Sequence, residues 1–523
     1  MAHSDSVSAP AFCRQGERRS TSWWVAVSVL GALALVLRVF AIDHDSLWFD
    51  EAITRLCVSI PILDLITERV VPELGNPPLY WILGGAWSTL FGDSEAGLRS
   101  LPALCGVMTV PFLALVGRRL VSARVGLWGA FLMAISPTAI ELSNEARPYA
   151  LAGLLAVVAT WFFVRWVQEN RRFDLAIYSV AVFLVCSTHY YGGAIPLAHA
   201  ASLATLRGER RRLRSWLGAM TVAGLLGLSM LHILVIQLGT RGNLSRMGDR
   251  WMYQFLATPM VFGFGRNLAW RDSPAWILGA MTLAALACFW FPAMFALFRW
   301  RRNPFEAVLL GSWFLIPIVV PLAVAVTLSP VYATRYAFVG LPSFLILTGW
   351  GLEQVRPTTR RALLVLILIL SSMSLYCYAT RPLKDDWRSE TRFVLERRRP
   401  GELVVFQPDH EIETFLYYLP RYGVAPTEMI ALGSGPRRDG WLRGVRYLNG
   451  IRYDRSPRDC ADSVPPSSGV WLVLCASRED PELFRDYFAR NGLQLIEHRR
   501  SHRIEIFHFT RQVGLNHSGG GPA

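Results

Sequence analysis

Long apolar segments recur over the first three quarters of the chain. A helix needs about 20 apolar residues to cross the hydrocarbon layer of a bilayer. The segment 174–206 is apolar for about 32 residues and is interrupted by His189-Tyr190-Tyr191-Gly192-Gly193, which predicts a tight hairpin of two spans. Other runs of about the required length lie at 22–42, 100–117, 124–140, 148–166, 216–238, 273–298, 305–327, 336–354 and 362–379. The sequence therefore predicts a polytopic α-helical membrane protein with eleven transmembrane helices.

Arginines concentrate in every second loop between these predicted spans. Short loops rich in Lys and Arg stay on the cytoplasmic side of a membrane. The clusters are Arg14, Arg18 and Arg19; Arg118, Arg119 and Arg124; Arg165, Arg171 and Arg172; Arg207, Arg210, Arg211, Arg212 and Arg214; Arg299, Arg301 and Arg302; and Arg356, Arg360 and Arg361. We therefore expect residues 1–21 to be cytoplasmic, and the loop 43–98 and the tail 381–523 to be extracytoplasmic.

The apolar stretch 79–91 (LYWILGGAWSTLF) has only 13 residues. A length of about 10–14 residues fits an interfacial or re-entrant helix better than a span. Tyr80, Trp81 and Trp87 suit the headgroup zone. If this stretch crossed the bilayer, every later arginine cluster would lie outside. We expect it to lie in the membrane plane at the outer surface, so that 43–98 is one large outer loop of a membrane domain over 22–380.

The composition excludes several other classes of protein. Of the 523 residues, 52% are hydrophobic and 18% are charged, and the mean hydropathy is +0.31. Soluble domains carry about 25% charged residues, so a soluble enzyme, a coiled coil and a disordered chain are disfavoured. The net charge of +14 would suit nucleic acid. Because much of it lies in alternate loops, membrane topology explains it, and no nucleic-acid partner is expected.

The tail from residue 381 differs from the rest of the chain because it is charged. It has strand-like runs at 402–406, 470–475, 493–497 and 503–509, and helix-like stretches near 410–419 and 480–490. This pattern predicts a small α/β domain. On the oxidising side of the membrane Cys460 and Cys475 could form a disulfide, and two free thiols are the alternative.

Polar residues at the outer ends of the predicted helices are candidates for function, because polar groups at membrane depth are costly. Asp50 and Glu51 form an acidic pair that could do acid–base chemistry or hold a divalent cation. Glu145 and Arg147 come just before Pro148, a residue that suits the first turn of a helix. Glu145 would supply a second acid, and Arg147 a cation that binds an anion. The alternative is that the two form a surface pair at a helix end.

Further residues are candidates for binding the substrate. The guanidinium of Arg335 could donate two parallel hydrogen bonds to the oxygens of a phosphate. Arginines in the outer loop 239–272 run against the charge bias and indicate an anionic ligand; they are Arg241, Arg246, Arg250, Arg266 and Arg271. The substrate-binding candidates are Asn76, Tyr80, Arg147, Tyr149, His189, Tyr190, Arg335, Tyr336, Asp386 and Arg388. A structural role is the alternative for His189, and the start of the tail domain is the alternative for Asp386 and Arg388.

The order of these motifs resembles the GT-C membrane glycosyltransferases, in particular the bacterial branch of the protein O-mannosyltransferase and aminoarabinose transferase type. Trp48-Phe49-Asp50-Glu51-Ala52 matches the acidic motif of the first outer loop, and Asn76-Pro77-Pro78-Leu79-Tyr80-Trp81 matches a Lys/His-Pro-Pro-Leu element. Residues 92–102 (GDSEAGLRSLP) resemble the stretch Phe-Gly…Arg-Leu-Pro-Ser. The resemblance covers about residues 22–390. It departs at Asn76, where the family has a cation that could contact phosphate.

The resemblance implies that a sugar passes with inversion from a polyprenyl-phosphate donor to a protein, lipid or glycan acceptor outside the cytoplasmic membrane. Asp50 matches the position of the base, with Glu51 as its neighbour and Glu145 as the second acid. Arg147 and Arg335 would stabilise the leaving phosphate. A divalent metal ion, if one is used, would be held by Asp50 and Glu145. The residues are expected to face one extracytoplasmic chamber.

Two other functions compete with this interpretation. A transporter or flippase of a lipid-linked sugar predicts paired repeats and charges near the middle of the membrane, whereas the acids here lie at helix ends. A non-catalytic scaffold that presents the tail leaves Asp50 and Glu51 unexplained. The motifs therefore favour the transferase.

Overall fold

The computed structural model describes a set of ranges separated by short gaps. They are 21–63, 76–206, 208–231, 233, 235, 250–268, 273–299, 304–328, 332–381, 384–407, 411–424, 429–432, 452–454, 469–475, 481–501 and 503–511. The described residues belong to two compact units. We call the residues within Met1–Ile42, Asn76–Tyr80 and Arg99–Tyr378 the membrane unit, and those within Asp43–Gly75, Trp81–Leu98 and Ala379–Ala523 the sheet unit.

Helices make up most of the chain. They are α1 (Thr21–Val39), α2 (Phe49–Val58), α3 (Leu79–Phe91), α4 (Glu95–Leu120), α5 (Ala123–Ile135), α6 (Pro137–Ser143), α7 (Tyr149–Glu169), α8 (Arg172–Thr188), α9 (Ala194–Leu203), α10 (Arg210–Gly227), α11 (Arg250–Leu256), α12 (Thr258–Phe264), α13 (Ala275–Ala285), α14 (Phe291–Arg299), α15 (Pro304–Thr327), α16 (Leu341–Gln354), α17 (Pro357–Thr380), α18 (Trp387–Arg397), α19 (Ile412–Tyr418) and α20 (Pro481–Arg490). A π-helical turn, Leu286–Trp290, joins α13 to α14, and 3-10 turns cover Tyr190–Gly193, Leu228–Met230, Thr334–Gly340 and Leu419–Tyr422.

Within the described ranges, seven helical stretches are long and apolar enough to cross a membrane, and the bent pair α5 and α6 would make an eighth. The predicted count of eleven is not confirmed. The predicted hairpin does form, with α8 and α9 on either side of the turn Tyr190–Gly193, but these helices have 17 and 10 residues. The tenth predicted span begins with the 3-10 turn Thr334–Gly340, which leaves α16 with 14 residues.

The short helix α16 is buried among other helices of the membrane unit. Most of its residues from Leu341 to Leu352 are buried. A Cβ atom at Gly349 would lie 2.5 Å from the Cβ of Trp128, and one at Gly351 would lie 2.0 Å from the carbonyl oxygen of Pro292. Small residues of this kind let membrane helices approach closely, where van der Waals packing replaces the hydrophobic effect. Protein therefore surrounds this apolar segment on most sides.

Helix α3 has the 13 residues predicted from its apolar run. Its position in the membrane plane, and the sidedness that follows from it, remain predictions.

The tail forms a six-stranded mixed sheet. Its strands are β1 (Leu403–Gln407), β2 (Met429–Leu432), β3 (Arg452–Asp454), β4 (Val470–Cys475), β5 (Leu493–Ser501) and β6 (Ile504–Arg511), in the order β3-β2-β1-β4-β6-β5. Strands β3, β2, β1 and β4 are parallel to one another, and β6 is antiparallel to β4 and to β5. The four predicted strands are confirmed as β1, β4, β5 and β6, and the two predicted helices as α19 and α20. Cys460 lies outside the described residues. Cys475 is buried with a free thiol, which favours the alternative of free thiols over the disulfide.

Part of the predicted outer loop packs with the tail in the sheet unit. The amide of Leu47 donates to Tyr418 Oη at 2.8 Å. Ser46 Oγ donates to the carbonyl oxygen of Asp385 at 2.6 Å and accepts from the amide of Trp387 at 3.1 Å. These bonds join residues more than 300 positions apart, and they hold the segment before α2 against the start of the tail.

A buried carboxylate connects the strands of the sheet unit. Glu402 is 3% exposed and accepts hydrogen bonds from Trp471 Nε1 at 2.9 Å and from the amide of Arg399 at 2.9 Å. Its second oxygen lies 3.1 Å from His508 Nε2. The rings of His508 and Trp471 stack with centroids 3.8 Å apart. Burial raises the pKa of Glu402, but the hydrogen bonds from Arg399, Trp471 and His508 outweigh it, so that the pKa is lowered.

We predict that acid weakens the sheet unit. Burial lowers the pKa of His508 although Glu402 opposes this. Both groups then resist protonation in the folded state, so their stabilisation is lost as the pH falls below about 6.5 for His508 and about 4.3 for Glu402. Hydrogen exchange of β4 and β6, corrected for intrinsic rates, should show protection falling below pH 6.5. Glu402→Gln should abolish the lower step, and unchanged protection of the wild type down to pH 4 would contradict the prediction.

Candidate functional site

The segment that carries Glu145 follows a break between two helices of the membrane unit. Helices α5 and α6 meet at an angle of 58°. Pro137 begins α6 and has no N–H to donate to the carbonyl of Met133, four residues earlier. Ser136 caps α6, with its Oγ accepting from the amide of Ala139 at 3.3 Å. After α6 the chain runs through residues 144–148 into α7, so the break sets the direction in which this segment leaves.

Arg38 satisfies the carbonyl groups that the break exposes. It lies in the last turn of α1 and is fully buried. Its Nη2 donates to the carbonyl oxygen of Met133 and its Nη1 to that of Ala134, both at 3.2 Å. Its Nε donates to Ser143 Oγ, also at 3.2 Å, so one side chain joins the end of α5 to the end of α6. Sequence reasoning missed this role because the partners of Arg38 lie about 95 to 105 positions away along the chain.

Two acids next to this segment share one arginine. Arg266 Nη2 lies 3.2 Å from Glu145 Oε1, and its Nε bonds to Glu141 Oε1. The side chains of Glu141 and Glu145 are 7% and 2% exposed, whereas that of Arg266 is 48% exposed. Gly265 has φ +74°, a left-handed conformation that ends α12 and that glycine adopts without strain. Glu141 was not among the predicted site residues, and Arg266 was singled out only as a loop arginine.

A second group forms around His189 in the same unit. The guanidinium of Arg335 lies 5.7 Å from the ring centre of Tyr149 and 6.0 Å from that of Tyr336. The His189 ring lies 5.7 Å from Tyr149 and 5.8 Å from Tyr336. Four predicted binding residues, His189, Tyr149, Arg335 and Tyr336, are therefore brought together by the fold.

His189 is neutral at physiological pH. Burial, followed by the charges of Arg147 and Arg335, lowers the pKa of His189 to about 3. The amide of Tyr191 donates to its Nδ1 at 3.3 Å. The proton of the neutral ring must therefore lie on Nε2, which becomes a hydrogen-bond donor beside two arginines. A donor without charge can approach an anion without adding to the repulsion between the cations.

The remaining predicted residues of the membrane unit are placed as follows. Asn76, Tyr80 and Arg147 are 6%, 2% and 4% exposed. Tyr191 stacks on Tyr336 with ring centres 5.4 Å apart. A role of Tyr190 in binding substrate remains a prediction.

The acidic motif of α2 lies in the sheet unit. Glu51 is fully buried, and its Oε2 accepts from Lys384 Nζ at 2.9 Å. Asp50 is partly exposed. An acid buried in an ion pair is held in place, so Asp50 is the member of the motif that is more open to a reactant.

The other two predicted residues of the sheet unit have structural contacts. Asp386 caps α18, with its Oδ1 accepting from the amide of Ser389 at 3.1 Å. Arg388 Nη2 lies 3.0 Å from Glu95 Oε1. These contacts support the interpretation that the segment 384–388 begins the tail domain, and a role in binding substrate remains a prediction for both residues.

The two groups together form what we call the membrane-unit cluster: Glu141, Glu145, Arg147, His189, Arg266 and Arg335. Arg266 pairs with both carboxylates. Arg147 and Arg335 act electrostatically on His189, and Arg335 acts on Arg266. Three guanidinium groups and two carboxylates give a formal excess of one positive charge, which suits an anion. Over the described ranges, no set of three or more His, Cys, Asp and Glu side chains is arranged to hold a metal ion. The pairing of Glu145 with Arg266 competes with any cation there, and a metal ion held by Asp50 and Glu145 stays a prediction.

Comparison with known proteins identifies the fold. The sequence profile of the dolichyl-phosphate-mannose-protein mannosyltransferase family matches residues 75–236. The structure is similar to ArnT from Cupriavidus metallidurans in the apo state, with a TM-score of 0.63, 14% identity, and coverage of 93% of this chain and 98% of that one. The chain has the GT-C fold. The resemblance predicted from the motifs is thereby confirmed.

Two further structures have the same fold. ArnT from the same organism bound to undecaprenyl phosphate matches with a TM-score of 0.61, 14% identity, and coverage of 94% of this chain and 98% of that one. The oligosaccharyltransferase of Archaeoglobus fulgidus tethered to an acceptor peptide matches with a TM-score of 0.52, 13% identity, and coverage of 95% and 75%. No curated protein sequence matches the chain significantly.

We predict that Arg38→Met strongly destabilises the membrane unit. The change leaves the carbonyls of Met133 and Ala134 without their charged donor, at about 1.5–3 kcal/mol for each hydrogen bond. Thermal unfolding in detergent should show a marked decrease in Tm. Arg38→Lys keeps the charge but loses the planar guanidinium that bonds to both carbonyls. Its Tm should lie between those of the wild type and Arg38→Met. Thr221→Ala on the exposed face of α10 is the control. If Arg38→Met has the same Tm as this control, Arg38 does not stabilise the break between α5 and α6.

Proposed function

We propose that the protein is a membrane glycosyltransferase that uses a polyprenyl-phosphate-linked sugar as donor. The observation that carries the proposal is the group of three arginines in a chain with the GT-C fold: Arg147 and Arg335 lie near the neutral His189, and Arg266 lies near Arg335. Three fixed guanidinium groups suit a phosphate, which accepts paired hydrogen bonds. The solved ArnT complex with undecaprenyl phosphate supports this choice of ligand.

The chemistry of the cluster fits a phosphate that leaves. When the bond between the sugar and the phosphate breaks, negative charge increases on the phosphate oxygens. Cations already in place stabilise that charge without reorganisation in the transition state. Arg335 is held between two tyrosine rings, and Arg266 is oriented by two carboxylates. The neutral His189 adds a donor at Nε2. The leaving group is therefore the part of the reaction that these residues serve.

The acceptor needs a base, and we assign this role to Asp50. A carboxylate that removes the proton of an acceptor hydroxyl makes it a better nucleophile. Glu51 is buried against Lys384, whereas Asp50 is partly exposed. The sequence motif around Asp50 matches the family's base, and direct attack on the donor would give inversion. Glu145 bonds to Arg266 and orients that cation, in addition to being the second acid of the sequence motif.

We propose that the reaction takes place at the outer face of the cytoplasmic membrane. The arginine clusters in alternate loops support this orientation. It makes the residues 1–21 cytoplasmic and the tail 381–523 an extracytoplasmic domain. A polyprenyl carrier also suits this side, since extracytoplasmic transferases have no access to cytoplasmic nucleotide sugars. The acceptor would be a protein, a lipid or a glycan of the cell envelope.

We predict that Asp50→Asn abolishes transfer. Loss of a general base costs about 100- to 10,000-fold in rate, while the carboxamide keeps the size of the side chain. Transfer from a polyprenyl-phosphate sugar should be measured in proteoliposomes with the purified full chain. The exposed Asp43 lies in the same segment, so Asp43→Asn is the matched control and should keep its activity. Full activity of Asp50→Asn would refute the assignment.

We predict that Arg335→Lys weakens donor binding and slows the reaction. Lysine keeps the charge but cannot make paired hydrogen bonds, and it lacks the planar group that Arg335 holds over the two tyrosine rings. KM for the donor should rise at least tenfold, and kcat should fall if the guanidinium also stabilises the leaving phosphate. Arg172→Lys, at an exposed position at the start of α8, is the matched control. Unchanged KM and kcat in Arg335→Lys would exclude this arginine from the phosphate site.

A further inference from the structure

Several buried polar atoms beside the arginine cluster have no hydrogen-bond partner in the described part of the chain. They are both amide atoms of Asn144, both amide atoms of Asn267, and Oε2 of Glu145. The three side chains are 1%, 3% and 1% exposed. Buried polar atoms are nearly always paired, so a group of five calls for an occupant.

The three residues belong to one small region of the membrane unit. Asn144 directly precedes Glu145, and Asn267 directly follows Arg266. Arg266 bonds to Glu145 Oε1, so each asparagine is one residue away from that contact. Thr138 Oγ1 donates to the carbonyl oxygen of Val261, which ties α6 to α12. Ser374 Oγ donates to the carbonyl oxygen of Phe264 at 2.6 Å and anchors the end of α12.

The kinds of atom identify what could fill this region. Two carbonyl oxygens and one carboxylate oxygen need donors, and two amide groups need acceptors. An ionised phosphate supplies acceptors only, so it satisfies the amides and leaves the three oxygens unpaired. A hydroxyl group is both a donor and an acceptor. Hydroxyl groups, such as those on a sugar ring, therefore match the hydrogen-bonding needs of all five atoms, which a phosphate does not.

We propose that Asn144, Asn267 and Glu145 Oε2 bind the hydroxyl groups of the donor sugar. This subsite rests on the proposed function and separates two tasks within the donor. The arginines hold the phosphate, and the uncharged amides select the sugar. A site built to pair with hydroxyl groups discriminates strongly against ligands that lack them, since its buried polar atoms then stay unpaired.

The test compares two lipids, undecaprenyl phosphate and the same lipid carrying a neutral hexose. Binding to the full chain in detergent is measured for wild type, Asn144→Leu, Asn267→Leu and the control Thr221→Ala. Each leucine variant should lose at least tenfold in affinity for the hexosyl lipid, about 1.4 kcal/mol. Its affinity for the bare lipid should change less than twofold. If the leucine variants lose equal affinity for both lipids, the subsite is overturned. If they lose affinity for neither lipid, it is also overturned, because water alone then fills the region.

Thermal unfolding without ligand provides the second measurement. Replacing unpaired buried polar atoms by an apolar group of similar size removes their desolvation cost. The leucine variants should therefore unfold at a Tm equal to or above that of the wild type, whereas a purely structural role for the asparagines would lower it. If a leucine variant does not fold, Asn→Asp at the same position keeps Oδ1 and removes the N–H donors, and it should still lose affinity for the hexosyl lipid selectively.

The same experiment separates failure of the subsite from failure of the proposed function. A wild-type protein that binds neither lipid overturns the proposed function. A wild-type protein that binds the bare lipid, together with leucine variants that keep their affinity for the hexosyl lipid, leaves the phosphate site standing and overturns the sugar subsite.

Discussion

The position of the membrane-unit cluster depends on the hydrogen bonds that the backbone carbonyls accept at the break between α5 and α6. Inside a membrane protein a carbonyl group without a donor is costly, because no water is at hand to replace one. Pro137 removes the donor that Met133 would have had, and the guanidinium of Arg38 replaces it. The same side chain bonds to Ser143 at the end of α6. The direction in which the chain leaves toward Glu145 therefore rests on one buried cation that bonds to carbonyl and hydroxyl oxygens.

The neighbouring charges show how cations can be kept together in a buried place. Arg266 is offset by Glu141 and Glu145, and Arg335 lies against the faces of two tyrosines, where the ring quadrupole attracts it. His189 stays neutral because burial and the adjacent arginines disfavour a further positive charge. The protein thus keeps a small positive excess rather than full neutrality. Such an excess suits a ligand that brings its own negative charge.

Much of this arrangement could be predicted from the sequence, because apolar runs and charge placement act locally. The hairpin around His189 and four strands of the tail were predicted and are present. Glu145, Arg147, Tyr149 and Arg335 were singled out because polar residues at helix ends are costly in a membrane. Arg38 could not be found in this way, since its role comes from contacts with residues about 95 positions distant. Asn267 could not be found either, since only the fold shows that its buried amide has no partner among the described residues.

By itself the sequence determined the class of the protein, the order of its motifs and the apolar segments, because hydrophobicity and charge bias are properties of short stretches. Only the tertiary structure decided which acids pair with which cations. It placed Glu51 against Lys384 and left Asp50 partly open, a distinction that two adjacent carboxylates do not reveal. It also shortened some predicted spans, since α16 is surrounded by other helices and does not need the length that lipid contact requires. The physical reason is that pairing and burial depend on distances between segments far apart in the chain.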